Sequence, residues 1–171
     1  MSTLEVNKIT PISGGTTVTL GDSGDTFNLA SGATAGFGKI GQVVSNEYTS
    51  ATSTSSSSFT QIGPSVAITP SATTSKILIN VAGGALYTAT DKKIDMTIYR
   101  DSSNLGGSNG MMAHFANSSF LQSPMSMTIL DSPSTTSSTT YAVYVRTTTG
   151  SSVDVQAANY KSVLTAMEVL A

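Results

Sequence analysis

Short stretches of alternating apolar and polar residues recur along most of the chain, and this spacing of two is typical of β-strands with one buried face. It predicts strands in residues 42–48, 59–68, 76–81, 94–100, 125–129, 141–145 and 153–155, with an interruption at Pro64. The predicted inward residues are Ile77, Ile79 and Val81, then Ile94, Met96 and Ile98, then Met125, Met127 and Ile129, then Tyr141, Val143 and Val145, and then Val153 and Val155. Asp95, Thr97 and Tyr99 are predicted to face outward. With a further strand near the end of the chain, about eight strands at this spacing indicate an all-β sandwich or jelly roll.

The end of the chain fits two patterns. Val163, Met167 and Leu170 would share one face of a helix, whereas Val163, Thr165, Met167 and Val169 would share one face of a strand. We prefer the strand, because it closes a sheet. Three segments between the predicted strands, residues 49–58, 86–93 and 105–113, are expected to be exposed loops.

The first forty residues hold short apolar stretches separated by glycine, serine and threonine. Residues 16–20 and 26–29 alternate like short strands around the turn at residues 21–25, and residues 36–38 resemble a hinge. Such a ribbon is marginal in water by itself, so we expect copies of the chain to complete it.

This contrast divides the chain into an N-terminal β stalk and particle-attachment segment, residues 1–40, and a C-terminal jelly-roll-like head, residues 41–171. In a homotrimer, three stalks would cover one another's strand edges. The residues predicted to meet on the axis, as the core of the stalk, are Val18, Leu20, Phe27 and Leu29.

Composition narrows the functional classes. Charged residues make up only 11% of the chain, and the basic pair Lys92 and Lys93 is flanked by Asp91 and Asp95, so no basic surface for nucleic acid is predicted. No run approaches the roughly 18 apolar residues of a membrane span, and residues 1–5 do not resemble a signal peptide, so we expect no membrane insertion. The chain has no cysteine, which excludes disulfides, thiol nucleophiles and cysteine-bound metals.

His114 is the only histidine, and no Gly-x-Ser-x-Gly motif accompanies it. One imidazole without clustered carboxylates also supplies too few ligands for a metal. We therefore expect His114 to be an ordinary strand or loop residue.

Acidic residues raise the question of glycoside hydrolysis. The residues concerned are Asp22 with Asp25, Asp91 with Asp95, and Asp101 and Asp131. Aspartate at such positions favours hydrogen bonds within turns, and the chain has no tryptophan for an aromatic cleft. The turn at residues 21–25 has two carboxylates, too few for a calcium loop. No catalytic, cofactor-binding or metal-binding residue is predicted.

The side chains of Arg100 and of several tyrosines and methionines have alternative interpretations. Arg100 is in phase with Ile98, so it either pairs with Asp101, Asp131 or Asp154 or ends a strand at the surface. Tyrosines form a receptor surface or, as we prefer, cover a sheet or a subunit interface, and methionines are expected to pack. These residues are Tyr87, Tyr99, Tyr141, Tyr144, Met111, Met112, Met125 and Met127.

Two blocks of the sequence resemble fibre proteins of bacteriophages. MSTLEVNKITP at residues 1–11 and GGTTVTLG at residues 14–21 resemble the N-terminal stalks of tail fibres and other phage appendages, those of marine phages especially. The remainder resembles the small β-sandwich domain at the C-termini of such fibres, through YRDS at residues 99–102, LDSP at 130–133 with the Thr/Ser run and Tyr141 after it, and LTAMEV at 164–169.

The resemblance implies a homotrimeric virion fibre without catalysis. Its head would contact a host-surface glycan or outer-membrane protein, and its N-terminal segment would bind other virion proteins. Long tail fibres also carry a large particle-anchoring domain, which these residues do not match, so attachment to the tail or the capsid stays open.

Four functions follow from the sequence, in order of preference. The first is a trimeric tail fibre for host attachment, and the second is a capsid decoration or head-fibre protein that docks through residues 1–11. A polysaccharide-degrading, tailspike-type enzyme is third, because the chain offers no catalytic constellation. A bacterial surface adhesin is last, because no signal peptide is predicted.

Overall fold

The computed structural model of the chain describes residues 39–88, 90–117, 121–148, 152–156 and 160–170. Within these ranges there are eleven β-strands and no helix, which confirms the all-β prediction. The strands are β1 Ile40–Tyr48, β2 Thr52–Thr54, β3 Thr60–Ile68, β4 Lys76–Thr88, β5 Lys92–Arg100, β6 Ser103–Asn104, β7 Met112–Ala116, β8 Leu121–Asp131, β9 Thr139–Thr147, β10 Val153–Gln156 and β11 Ser162–Val169. In these ranges no helix is long and apolar enough to cross a membrane.

The strands form two antiparallel sheets. The first sheet has the order β1-β11-β4-β10-β2, with β8 also paired to β4, and the second has the order β3-β9-β5-β6, with β7 also paired to β5. Alternate residues of β4 and β11 in the first sheet and of β5 and β9 in the second bury their side chains in one shared core. The two sheets therefore pack face to face.

The predicted inward residues are confirmed in this core. Ile77, Ile79, Val81, Ile94, Met96, Ile98, Tyr141, Val143, Val145 and Val155 are inaccessible to solvent, and Val153, Met125 and Met127 are nearly so. Ile129 is partly buried and packs against them. Tyr141 is the aromatic residue among the largest fully buried side chains, so the core consists mostly of branched aliphatic residues and methionine.

A β-bulge in β3 accounts for the predicted interruption at Pro64. The pairing of β3 with β9 shifts register between Gln61 and Ser65, which accommodates a residue that has no backbone N–H to donate. Gly63 has a φ of 115°, and a Cβ there would lie 3.3 Å from Cβ of Val143. Glycine is therefore required where the bulge passes over the core.

The outward prediction for Asp95 and Thr97 is wrong, since both are fully buried. Asn104 and Gly106 lie over Thr97, whereas Lys93 and Arg146 pair with Asp95. Met111 N–H donates to the Met96 carbonyl at 2.7 Å, and Thr97 Oγ1 donates to Asn104 Oδ1 at 2.6 Å. The alternation identified the strand, but contacts with other side chains, which the pattern does not show, decided which of its residues meet water.

The predicted loops also differ from the structure. Residues 86–93 are not an exposed loop, because β4 continues to Thr88, Leu86 is fully buried and β5 begins at Lys92. Residues 49–58 contain β2, in which Thr54 is buried. Residues 105–113 are irregular only as far as Met111, because β7 begins at Met112.

The end of the chain is the strand β11, as preferred, but its core face is the opposite one. Ser162, Leu164, Ala166 and Glu168 are buried, whereas the face that includes Met167 is only partly covered. Both faces of β11 carry apolar residues, so the sequence pattern did not distinguish them.

The predicted stalk, residues 1–40, lies outside the described residues except for Lys39 and Ile40. This includes the stalk-core residues Val18, Leu20, Phe27 and Leu29 and the hinge at residues 36–38. The stalk and its boundary with the head stay predictions.

Candidate functional site

Aromatic and polar side chains gather on the outer face of the second sheet, where β5 and β9 pair. Their register places Thr97 opposite Tyr144. Because the adjacent residues Ile98 and Val143 point into the core, Tyr99 and Tyr144 project from the opposite face.

Tyr99, Tyr144 and Phe59 form an aromatic cluster there. The rings of Tyr99 and Tyr144 stack with centroids 3.9 Å apart, and the ring of Phe59 is tilted by 59° against Tyr99 at 6.3 Å. The guanidinium carbon of Arg146 lies 4.6 Å from the Phe59 ring centroid, within the range of a cation–π contact. All three aromatic residues are partly exposed, so they form a fixed apolar surface that a ligand can reach.

Asp95 holds Arg146 in this position. Arg146 Nε donates to Asp95 Oδ2 at 3.1 Å, and Lys93 Nζ lies 2.8 Å from Asp95 Oδ1. Arg146 Nη2 also donates to Asn109 Oδ1 at 3.0 Å. The two cationic neighbours balance the charge of the buried carboxylate. Asp95 therefore acts as an ion-pair partner that orients the guanidinium of Arg146.

A groove of about 480 Å³ lies between the edge strands β1 and β3. It is lined by Asn46, Tyr48, Thr52, Gln61, Ile62, Gly63 and Ser65. Gln61 lies opposite Tyr144 in the pairing of β3 with β9, so the groove adjoins the aromatic cluster. The lining provides amides, hydroxyls and one phenol but no carboxylate or amine, which suits an uncharged polar ligand. We call the aromatic cluster, Arg146 and the groove together the aromatic groove surface.

Arg100 pairs with Asp131, one of the three partners predicted for it. Arg100 Nη1 lies 3.0 Å from both carboxylate oxygens, and the Tyr141 hydroxyl donates to Asp131 Oδ2 at 2.7 Å. Burial, and next the hydrogen bond to Asp131, raise the pKa of Tyr141 far above its ordinary value. The phenol therefore stays protonated and the cluster joins β5, β8 and β9 as a structural element.

Glu168 is a buried carboxylate that fixes a turn to the first sheet. It accepts hydrogen bonds from the Ser71 amide and hydroxyl, each at 2.6 Å, and from Gln42 Nε2 at 2.7 Å. Burial is the largest influence on its pKa and would raise it, but the hydrogen bonds from Ser71 and Gln42, together with a smaller contribution from Ser75, lower the pKa to about 2. Glu168 therefore stays ionised with its partners in place.

His114 is a strand residue, in agreement with its ordinary interpretation. It is buried on β7, and its Nδ1 lies 2.7 Å from Thr88 Oγ1. Burial lowers the pKa of His114, which keeps the imidazole neutral at physiological pH.

The aspartates do not all have the turn role that was predicted. Asp101 lies in the turn after β5, but its hydrogen bonds cross to β9, since its N–H donates to the Thr140 carbonyl at 2.8 Å and its Oδ1 accepts from the Thr140 N–H at 2.9 Å. The turn role is wrong for Asp95 and Asp131, which form buried or nearly buried ion pairs. Within the part of the chain that the structure describes, no group of three or more His, Cys, Asp or Glu residues is placed to hold a metal ion.

The predicted tyrosine set divides between core and surface. Tyr141 is in the core, whereas Tyr99 and Tyr144 belong to the aromatic groove surface. The methionines pack as predicted: Met125 and Met127 are in the core, and Met111 and Met112 lie against it.

Sequence reasoning missed Phe59, Gln61 and Arg146. Their side chains meet only through the pairing of β3, β9 and β5, and that register is not readable from one sequence. A signal was present in Tyr144 and Arg146, which alternate with the inward residues of β9 and so share its outer face.

Comparison with known proteins leaves the chain without an assigned family, since no protein-family model and no curated protein matches it.

Proposed function

We propose that the chain is a structural virion protein of a bacteriophage, a trimeric tail fibre that attaches to the host surface without catalysis. The two sequence blocks that resemble phage fibres support this class of protein. The observation that carries the attachment role is the aromatic groove surface, a partly exposed aromatic cluster beside an uncharged polar groove.

The architecture that goes with this function is a jelly-roll-like head on an intertwined β stalk. Two antiparallel sheets around one core are compatible with a jelly roll. The stalk would consist of residues 1–40 from three chains, with Val18, Leu20, Phe27 and Leu29 on the axis. Its N-terminal segment would bind other virion proteins.

The chemistry of the surface favours a glycan of the host envelope as the ligand. The apolar faces of sugar rings pack on aromatic rings, and their hydroxyls hydrogen-bond to amide and hydroxyl side chains such as Gln61 and Asn46. One shallow groove binds weakly, but three copies per fibre and several fibres per particle multiply the affinity.

The absence of catalysis is proposed because the buried carboxylates already have structural partners. Asp95 pairs with Lys93 and Arg146, and Glu168 accepts three hydrogen bonds. A general acid or base needs a carboxylate that faces its substrate.

Binding of the labelled full-length protein to bacterial cells and to an array of envelope glycans tests the proposal. We expect the variant Tyr144→Ala/Gln61→Ala to bind about tenfold or more weakly, since a contact residue is commonly worth more than 1 kcal/mol and the loss is repeated in every copy. Ser126→Ala, exposed on the other sheet, is the matched control and should bind like the wild type.

The location of the protein on the particle separates attachment from decoration. Antibodies against residues 39–170 should label the tail in electron micrographs, and the free protein should compete with the virus for adsorption. Capsid labelling without any binding to cells would replace host attachment with capsid decoration. Shortening of a polysaccharide by the purified protein would contradict the non-catalytic part of the proposal.

A further inference from the structure

The outer face of the first sheet carries a contiguous apolar band. Strand pairing places Val43 beside Met167, Met167 beside Leu78, and Leu78 beside Leu130, so one apolar row crosses β1, β11, β4 and β8. Ile40 and Val169 pair directly next to this row. The apolar band is defined by these six residues.

The band is open to solvent in the single chain. Val43 is 55% exposed, Leu130 is 50% exposed and Ile40 is 48% exposed, while the residues between them are partly covered by their neighbours. Scattered exposed apolar residues are normal on protein surfaces, but a contiguous patch with a polar border marks a contact surface.

Polar residues border the band. The next row across the same four strands is Ser45, Thr165, Asn80 and Thr128, in which Asn80 Nδ2 donates to Thr128 Oγ1 at 2.9 Å. Lys76 is exposed on the other side. Because one row of residues is apolar and the next row is polar, the band has a defined edge.

We infer that the apolar band is where further copies of this chain pack in the assembled protein. This inference rests on the proposed function, which includes a trimer, and adds the surface through which the heads join. The chain itself favours another copy as the occupant, because Ile40, within the band, is the first strand residue after the segment predicted to self-associate.

The length of that connection permits the contact. Ile40 lies eleven positions after Leu29, the last predicted stalk-core residue, and this stretch spans at most about 40 Å when fully extended. Each Ile40 therefore stays within about 40 Å of the point where the copies meet, which lets the bands of neighbouring copies come into contact.

The charges on this face do not oppose packing of identical chains. Glu47, on the same face beyond the polar row, forms an ion pair with Lys161 at 2.8 Å. Lys76 adds a positive charge at the border of the band, so the face carries charges of both signs and does not select a strongly charged partner. The aromatic cluster lies on the outer face of the second sheet, and the groove lies between β1 and β3. Packing at the band therefore leaves the outer face of the second sheet free for a host ligand.

Cysteine alkylation of the full-length protein tests the inference, because the natural chain has no cysteine. In the assembled protein we expect Val43→Cys and Leu130→Cys to react at least about tenfold more slowly than Ser57→Cys, since the band must open before the reagent reaches it. Ser57 is exposed between β2 and β3 and serves as the control. In urea concentrations that dissociate the chains but keep the head folded, all three should react at similar rates.

Two results would overturn the inference. Equal alkylation of all three variants in the assembled protein would mean that the copies join elsewhere. Continued protection of positions 43 and 130 in the folded monomer would mean that the band is covered from within its own chain. The proposed trimer fails separately, if light scattering on the wild type does not give about three times 17.5 kDa.

A pair of charged variants measures the strength of the contact. We expect Val43→Lys/Leu130→Lys to lower the urea concentration at which the copies dissociate, while Ser45→Lys/Thr128→Lys keeps the wild-type value. The control places the same charges on the same strands and the same face, one row away. Equal effects of the two variants would show that charge on this face matters and the band does not, which contradicts the inference.

Discussion

Glu168 illustrates how a single buried charge is stabilised by its surroundings. The residue is only 1% exposed, yet three donors from Ser71 and Gln42 keep its carboxylate ionised. Because the pKa is lower in the folded protein than its ordinary value of 4.5, the folded state binds fewer protons. The ionised group therefore stabilises the fold at pH values above about 4.5, and this stabilisation is lost as the pH falls towards 2.

We expect Glu168→Gln to destabilise the protein at neutral pH by up to about 3 kcal/mol, since each pKa unit corresponds to about 1.4 kcal/mol. The difference from the wild type should shrink as the pH approaches 2. Urea unfolding at fixed protein concentration over this range measures it. Glu47→Gln, which changes an exposed carboxylate, should have little effect, and a pH-independent loss for Glu168→Gln would contradict the assigned cause.

His114 gives a second acid-sensitive contribution at higher pH. Burial lowers its pKa below 6.5, so the folded state binds fewer protons and stability falls as the pH drops below about 6.5. Glutamine at this position keeps a side chain that can hydrogen-bond to Thr88 but does not titrate. Between about pH 7.5 and about pH 5, the wild type should lose more stability than His114→Gln. Parallel losses in the two proteins would remove His114 as the cause.

At the scale of single residues, the sequence predicted the ion pair of Arg100 but not the aromatic groove surface. Arg100 had three candidate partners because its phase in β5 was readable, and Asp131 is the one it contacts. The same alternation places Arg146 on the outer face of β9, but its contact with Phe59 was not readable, because the two residues meet through strand pairing between distant segments. Local periodicity gives a side chain's direction but not its neighbour.

At the scale of elements, periodicity predicted which face is buried for some strands and not for others. The difference arises because contacts with other segments decide which faces are covered. In residues 76–81 the inward residues Ile77, Ile79 and Val81 were predicted correctly, because this face of β4 meets the core. In β5, the outer residues Asp95 and Thr97 are buried as well, because Asp95 has ion-pair partners and Thr97 hydrogen-bonds to Asn104. In β11, the apolar band makes the outer face as apolar as the core face, which is why the inward set was assigned to the wrong side.

The segment over β5 depends on a glycine. Gly110 has a φ of 86°, and a Cβ there would lie 2.5 Å from the Met96 carbonyl oxygen. We expect Gly110→Ala to destabilise the protein by more than about 1 kcal/mol and to speed hydrogen exchange at the Met111 amide. Gly107→Ala is the matched control, because its Cβ would meet nothing closer than 3.8 Å. Equal tolerance of both variants would show that the segment adjusts without cost.

At the scale of the whole molecule, a polar clasp supplements the core that joins the two sheets. Arg100 and Tyr141 belong to the second sheet and Asp131 ends β8 of the first, so their hydrogen bonds cross the sandwich. Arg100 is 29% exposed and Asp131 is 10% exposed, which places the pair between a surface ion pair and a fully buried one. Its loss should therefore cost more than that of an exposed pair, because Tyr141 is left with an unmatched buried hydroxyl.

We expect Asp131→Leu to destabilise the protein by about 2–3 kcal/mol, since it removes the acceptor of both Tyr141 and Arg100. Arg100→Leu should cost less, because Asp131 keeps the hydrogen bond from Tyr141. The double variant should be more stable than the sum of the single losses predicts, by about 1 kcal/mol or more, since the two side chains interact directly. Urea unfolding of all four proteins at one concentration completes this cycle.

The same cycle on Glu47 and Lys161, which are 60% and 53% exposed and lie within one sheet, should give a coupling below about 0.5 kcal/mol. If the two cycles gave equal coupling, the clasp would act as an ordinary surface pair, and cohesion of the sheets would come from the apolar core alone.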